Sequence, residues 1–221
     1  MPKPEPSIPR ELLPALPAAL LFFWIALSVS HSAILPVDSA VRGWVNSWAS
    51  VPLTEAMKVV TDFGSGWFLW PFGALICLRL IREGRRREAA LFAAAAVGAN
   101  LLEQAAKMLF HRARPEPFFG YEKPISYSFP SGHAFVSFCF YLVLAELLIE
   151  PEWVRQRRIA IWTLAILMVL SIGLSRIYLG VHYPTDVLGG YAGAFAWTVV
   201  VRAAHRRWWR TGDRTPEDAT P

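Results

Sequence analysis

The run Ile159–Tyr178, IAIWTLAILMVLSIGLSRIY, decides the fold. From Ile159 to Ser175 it holds no charged side chain. Its length matches the ~20 residues that a helix needs to cross a hydrocarbon core of ~30 Å. Three arginines, Arg155, Arg157 and Arg158, precede it, as a basic turn at a membrane surface would. At its far end stands Arg176, an ionised group that a membrane segment tolerates only with a reason.

Five further apolar runs flank this one, over about 14–35, 64–81, 89–110, 131–149 and 184–201. Composition agrees: 54% of the 221 residues are hydrophobic and 18% charged, with a mean hydropathy of +0.34. The expected fold class is all-α, a six-span transmembrane helix bundle. Residues 1–13 read as a cytoplasmic tail and 14–203 as the six-span domain, with a motif core at 100–190. Residues 204–221 read as a basic, then polar, cytoplasmic tail. Lys3 and Arg10 are offset by Glu5 and Glu11, so the first run is expected as an uncleaved span rather than a signal peptide. Residues 36–62 carry charged groups and Pro52, and are expected as an exposed connection with room for a short amphipathic helix.

Clustered arginines at 82–88, at 150–158 and beyond 202 place those segments and both termini in the cytoplasm. Segments 36–62, 111–130 and 179–183 then face outward from a plasma (inner) membrane. The net charge of +5 belongs to these basic turns, which argues against nucleic-acid binding. Cys77 and Cys139 sit inside apolar runs and read as small core residues.

Three polar groupings interrupt the apolar pattern: Lys107 with Arg114-Pro115; Pro130-Ser131-Gly132-His133; and Ser175-Arg176 with Tyr178, Gly180, His182 and Asp186. Helix parity sends all three to one membrane surface. Lys107, Arg114 and Arg176 then gather where the only carboxylate of the groupings is Asp186, and a phosphate fits the deficit. Ser131 and Gly132 open the fourth span, where free backbone N–H groups can take an anion and Gly132 lets it come close. His182 and Asp186 are four apart, so the carboxylate can orient the imidazole for attack. His133 can supply a proton. No third and fourth ligand accompanies His182 and Asp186, so neither metal nor cofactor is expected. Glu103, one turn before Lys107, reads as its i, i+4 ion-pair partner. His111 reads as surface loop, and Tyr178 and Gly180 as holding a turn.

These residues resemble the type 2 phosphatidic acid phosphatase (PAP2) family. Its three motifs, K-x6-RP, PSGH and SR-x5-H-x3-D, occur without substitution as Lys107…Arg114-Pro115, Pro130–His133 and Ser175-Arg176…His182…Asp186. The resemblance implies a six-helix membrane bundle and a metal-independent phosphatase. It assigns His182 as phosphohistidine nucleophile, His133 as general acid, and Lys107, Arg114, Ser131, Gly132 and Arg176 as phosphate ligands. The expected partners are the bilayer and a lipid phosphate of the undecaprenyl pyrophosphate, phosphatidylglycerol phosphate or phosphatidic acid class; no obligatory protein partner is inferred. A lipid phosphotransferase, a vanadium-dependent haloperoxidase and a non-enzymatic lipid-binding protein are the alternatives.

Overall fold

The computed structural model describes residues 9–31, 35–150 and 152–212. Among them are eight α-helices and no strand: α1 (Ala15–His31), α2 (Pro36–Asn46), α3 (Val51–Asp62), α4 (Gly66–Arg82), α5 (Arg86–Phe110), α6 (Gly132–Leu148), α7 (Arg155–Tyr178) and α8 (Pro184–Gly212). The all-α expectation holds. Helices α1, α4, α5, α6, α7 and α8 fall on the six apolar runs. Of these, α5, α7 and α8 are long and apolar enough to cross a membrane alone. The other three have 17 residues each, about 26 Å of helix, slightly under a bilayer core. Helix α4 is preceded by α3 at a bend of 42°.

Segment 36–62 is largely exposed but holds more helix than the single short amphipathic one expected. It folds into α2 and α3, which pack on α7, with α2 also reaching α8. Pro36 and Pro52 stand at first-turn positions, where a missing N–H costs nothing, so they start helices rather than break them. Ser50 caps α3 by accepting from the Leu53 N–H.

The two ends also differ from expectation. A 3-10 turn at Arg10–Leu12 follows Pro9, and Glu11 lies 3.6 Å from Arg206. Helix α8 does not stop near 203 but runs to Gly212, its arginines meeting Glu11 and Glu146. Residues 1–8 and 213–221 of the expected tails lie outside the described residues.

Helix α6 is the axis of the bundle, packed by α5, α7 and α8. Phe92, Phe135, Cys139, Phe140, Val143 and Ala194 form the central cluster. Lipid is as apolar as any side chain, so close packing rather than escape from water holds such helices together. Two sets of helix ends result. Arg85 donates to the Leu147 carbonyl and Arg202 pairs with Glu146, which gathers the basic turns at one end. At the other end the C-termini of α5 and α7 meet the N-termini of α6 and α8.

Candidate functional site

Each site residue stands at a helix end whose local chemistry fixes it. Helix α5 stops at His111, which takes the left-handed conformation (φ 48°) and returns its N–H to the Lys107 carbonyl. The exposed His111 thus closes a helix, and the chain beyond it carries Arg112 and Arg114 inward. Gly180 (φ +76°) turns the chain from α7 to α8, and a side chain there would meet the Phe118 backbone nitrogen at 2.7 Å. Tyr178 is fully buried and bonds Thr54 Oγ1 at 2.9 Å. Pro184 then opens α8, which puts Asp186 in its first turn.

Asp186 is wholly buried and saturated. Its Oδ2 accepts from Ser128 Oγ (2.5 Å) and the Tyr183 N–H (2.9 Å) and lies 3.3 Å from His182 Nδ1; its Oδ1 accepts from Arg112 (2.5 Å). On the other side of the imidazole, Arg114 Nη1 lies 3.0 Å from His182 Nε2. A guanidinium only donates, so Nε2 accepts and the ring proton belongs on Nδ1, facing Asp186. Burial, together with the charges of Arg114, Arg176 and Lys107, holds the His182 imidazole well below the usual histidine range, and hence neutral at pH 7.

The four cations divide into two kinds. Lys107 pairs with Glu103, and Arg112 pairs with Asp186 and with Asp38 of α2. Arg114 and Arg176 have no carboxylate at ion-pair distance among the described residues. Arg114 donates to Ser126 O (2.6 Å), Ser126 Oγ (3.0 Å) and Val181 O (2.9 Å), all neutral. Burial and the neighbouring Arg176 hold it down to about 10. Arg176 donates to Thr61 Oγ1 at 2.7 Å. Its Nε and the hydroxyl of Ser131 are buried with no hydrogen-bond partner among the described residues. Unsatisfied buried donors are costly and rare in native folds.

Thus the structure brings Lys107, Arg114, Arg176, His182 and Asp186 together, with Ser126 bridging Lys107 (3.4 Å) and Arg114. His133 lies within electrostatic reach of Arg176, His182, Lys107 and Arg114. It lines a cavity of about 150 Å³ with Gly64, Trp70, Asn100 and Glu103. Gly132 differs from expectation in one respect. The direction its side chain would take is filled by Glu103 Oε1, 2.6 Å away, so the missing Cβ makes room for the Glu103–Lys107 pair. No three His, Cys, Asp or Glu groups converge as a metal-ligand set among the described residues.

Asp38, Arg112, Ser126, Ser128, Thr61 and Thr185 were not singled out from sequence. Arg112 carried a signal, as a second arginine two positions before Arg114. Asp38 carried only its charge within a segment of ordinary loop composition.

Fold and pocket define a class: multi-pass helical membrane proteins whose helix ends enclose a cationic site around an imidazole. The chain belongs to the PAP2 superfamily, which it matches over residues 88–210. It is similar to phosphatidylglycerophosphatase B of Bacillus subtilis (strain 168), with 29% identity over 174 residues, 78% of this chain and 85% of that one. Similarity extends to an undecaprenyl-diphosphatase of Sulfolobus acidocaldarius, 31% identical over 144 residues, 63% of this chain and 64% of that one. A crystal structure of a transmembrane PAP2-type phosphatidylglycerolphosphate phosphatase from Bacillus subtilis superposes with a TM-score of 0.79 at 26% identity, over 87% of this chain and 96% of that one.

Proposed function

We propose that this chain is a lipid phosphatase that works through a phosphohistidine at His182 without a metal. One observation carries the reading. Two arginines without carboxylate partners, Arg114 and Arg176, flank an imidazole whose other nitrogen faces a saturated, buried carboxylate. Such a charge arrangement suits an anion, and the orphaned Arg176 Nε and Ser131 hydroxyl supply donors for its oxygens.

The reaction runs in two displacements. His182 Nε2 attacks phosphorus in line; the N–P bond forms as the bond to the leaving oxygen breaks, and His133 gives that oxygen a proton. Asp186 holds Nδ1–H and offsets the charge that the ring acquires. Arg114, Arg176 and the first N–H groups of α6 meet the equatorial oxygens. His133 next takes a proton from water, whose oxygen attacks phosphorus; the N–P bond breaks and phosphate leaves. In the free protein Arg114 occupies Nε2. A phosphate draws the guanidinium onto its own oxygens, so binding also releases the nucleophile.

The substrate is a lipid phosphomonoester or pyrophosphate, of the undecaprenyl pyrophosphate, phosphatidylglycerol phosphate or phosphatidic acid class. The site's position at helix ends and the phosphatases among the relatives support this choice. Because the basic turns lie at the opposite end of the bundle, the site belongs on the extracytoplasmic face of the plasma membrane. The test is phosphate release by purified protein in detergent, from a lipid-phosphate panel with excess chelator. Chelator-insensitive turnover that His182→Ala abolishes is expected. Near-normal release by that variant sinks the mechanism. Phosphate appearing on an added acceptor instead of water makes the protein a phosphotransferase, and no turnover on any substrate makes it a binding protein.

A further inference from the structure

We propose that Asp38 is a positioning residue for the nucleophile: by sharing Arg112, it leaves net negative charge on the Asp186 side of His182 and one Asp186 oxygen turned toward the ring. The inference rests on the reading of His182 as nucleophile.

Asp38, Arg112 and Asp186 come from α2, the loop after α5, and α8, and each is at most 3% exposed. Arg112 Nη2 donates to Asp38 Oδ2 (2.6 Å), while its Nη1 donates to Asp186 Oδ1 (2.5 Å) and Thr185 Oγ1 (2.8 Å). An arginine facing a single carboxylate closes a two-pronged pair and neutralises it. Here Asp38 takes one prong. Arg112 therefore spends a single bond on Asp186 and leaves Oδ2 to Ser128, the Tyr183 N–H and His182. Two carboxylates around one guanidinium also give this trio a net negative charge, beside the imidazole that must become cationic.

A purely structural role is the competing account. Asp38 accepts from the Thr185 N–H (3.0 Å) and hydroxyl (2.8 Å), and from the Leu35 N–H (3.4 Å), so it caps α8 and its own helix. Capping needs an acceptor; positioning needs the charge. Asn keeps the acceptor and loses the charge, so Asp38→Asn separates the two.

The readout is the pH profile of kcat/KM, whose acid limb follows protonation of His182. The groups facing that ring are Arg114 from the loop, Lys107 from α5, His133 from α6, Arg176 from α7, Asp186 from α8 and, more distantly, Arg42 from α2, with Tyr183 adjacent. Removing one negative charge from this cationic surrounding disfavours the imidazolium. In Asp38→Asn the acid limb should move to lower pH by ~0.5 unit or more, and the plateau should fall at least tenfold. Removing the guanidinium as well, in Asp38→Asn/Arg112→Met, restores the trio's net negative charge and should return the limb to its wild-type position. The limb does not depend on how much protein folds. An Asp38→Asn limb at the wild-type pH overturns the proposal, as does a double variant that keeps the displaced limb. If Asp38→Asn yields no folded protein, a double variant that folds with the wild-type limb supports the proposal, and one that fails to fold or is displaced overturns it. Failure of the phosphatase reading shows separately, as an inactive wild type or an active His182→Ala.

Discussion

Replacing Arg114 with lysine separates the charge of this residue from its shape. The Nε and Nη2 nitrogens grip Ser126 at its carbonyl (2.6 Å) and hydroxyl (3.0 Å), while Nη1 spans Val181 O (2.9 Å) and His182 Nε2 (3.0 Å). One planar group thus ties two segments of chain and holds a donor beside the attacking nitrogen. A lysine ammonium keeps the charge but cannot reach all these acceptors from one point. The three bonds to neutral acceptors are partly exposed, so their loss costs ~1 kcal/mol each at most in stability. The donor beside Nε2 matters more. Removing one preorganised donor to a charged transition state costs ~2.7–4 kcal/mol, or ~10²–10³ in kcat. Arg114→Lys should therefore stay folded, as judged by a thermal melt in detergent, yet lose two to three orders of magnitude in phosphate release. Activity within threefold of wild type would refute the assignment of Nη1 to the reacting phosphate. It would mean that Arg114 acts through charge alone.

Two further predictions concern the pocket wall and its protons. Gly132→Ala puts a methyl 2.6 Å from Glu103 Oε1; disturbing a buried ion pair costs up to ~3–5 kcal/mol, so the melt should fall and kcat/KM should drop at least tenfold, whereas an unchanged melt would show that Glu103 swings aside freely. The His182 ring is held below its unfolded value of ~6.5, so the unfolded chain binds the proton more readily than the folded one. The stability lost this way is absent above that pH and grows as the pH falls below it. Chemical denaturation in detergent should show it between ~pH 6.5 and 5, and His182→Gln should remove that part of the slope.

Much of the bundle is legible in the sequence because membrane spans are a one-dimensional signal. Twenty apolar residues read as a span whatever they touch, and six helices stand where the six runs are. The motif residues are legible for a related reason: parity alone carries Lys107, His133 and His182 to one end. Helices α2 and α3 were legible only as one short amphipathic helix, because each carries a proline in its first turn and a charged face, a composition shared with surface loops. Asp38 was hidden for a deeper reason. Its partners Arg112, Thr185 and, through Arg112, Asp186 lie more than seventy residues away, and no local pattern announces a contact of that span. The charge deficit read from sequence was also incomplete. It omitted Arg112 and Asp38, and it located the surplus on Lys107 as much as on the arginines although Glu103 reads from sequence as the Lys107 partner.

That redistribution leads to a test of the site as a whole. Lys107 and Arg112 have their counter-charges within the fold, so an anion has little to offer them beyond reach and orientation. Arg114 and Arg176 have no carboxylate at ion-pair distance among the described residues, and a cation taken out of water without such a partner is destabilising. The empty site should therefore weaken the protein, and an anion that fills it should return the stability. Linkage gives the size: ~2.7 kcal/mol at one hundred times the dissociation constant. Inorganic phosphate or vanadate, titrated against the wild type, should raise the melting temperature in a saturable way. Arg176→Met removes a cation with no carboxylate at ion-pair distance and its orphaned Nε, so this variant should lose most of the anion-induced shift while keeping its own melt near that of the ligand-free wild type. Asp38→Asn should keep a shift, because it leaves Arg114 and Arg176 in place. An anion-induced shift that survives undiminished in Arg176→Met would place the anion elsewhere. A wild type with no shift up to the solubility limit of phosphate would mean that the two arginines are not waiting for an anion at all.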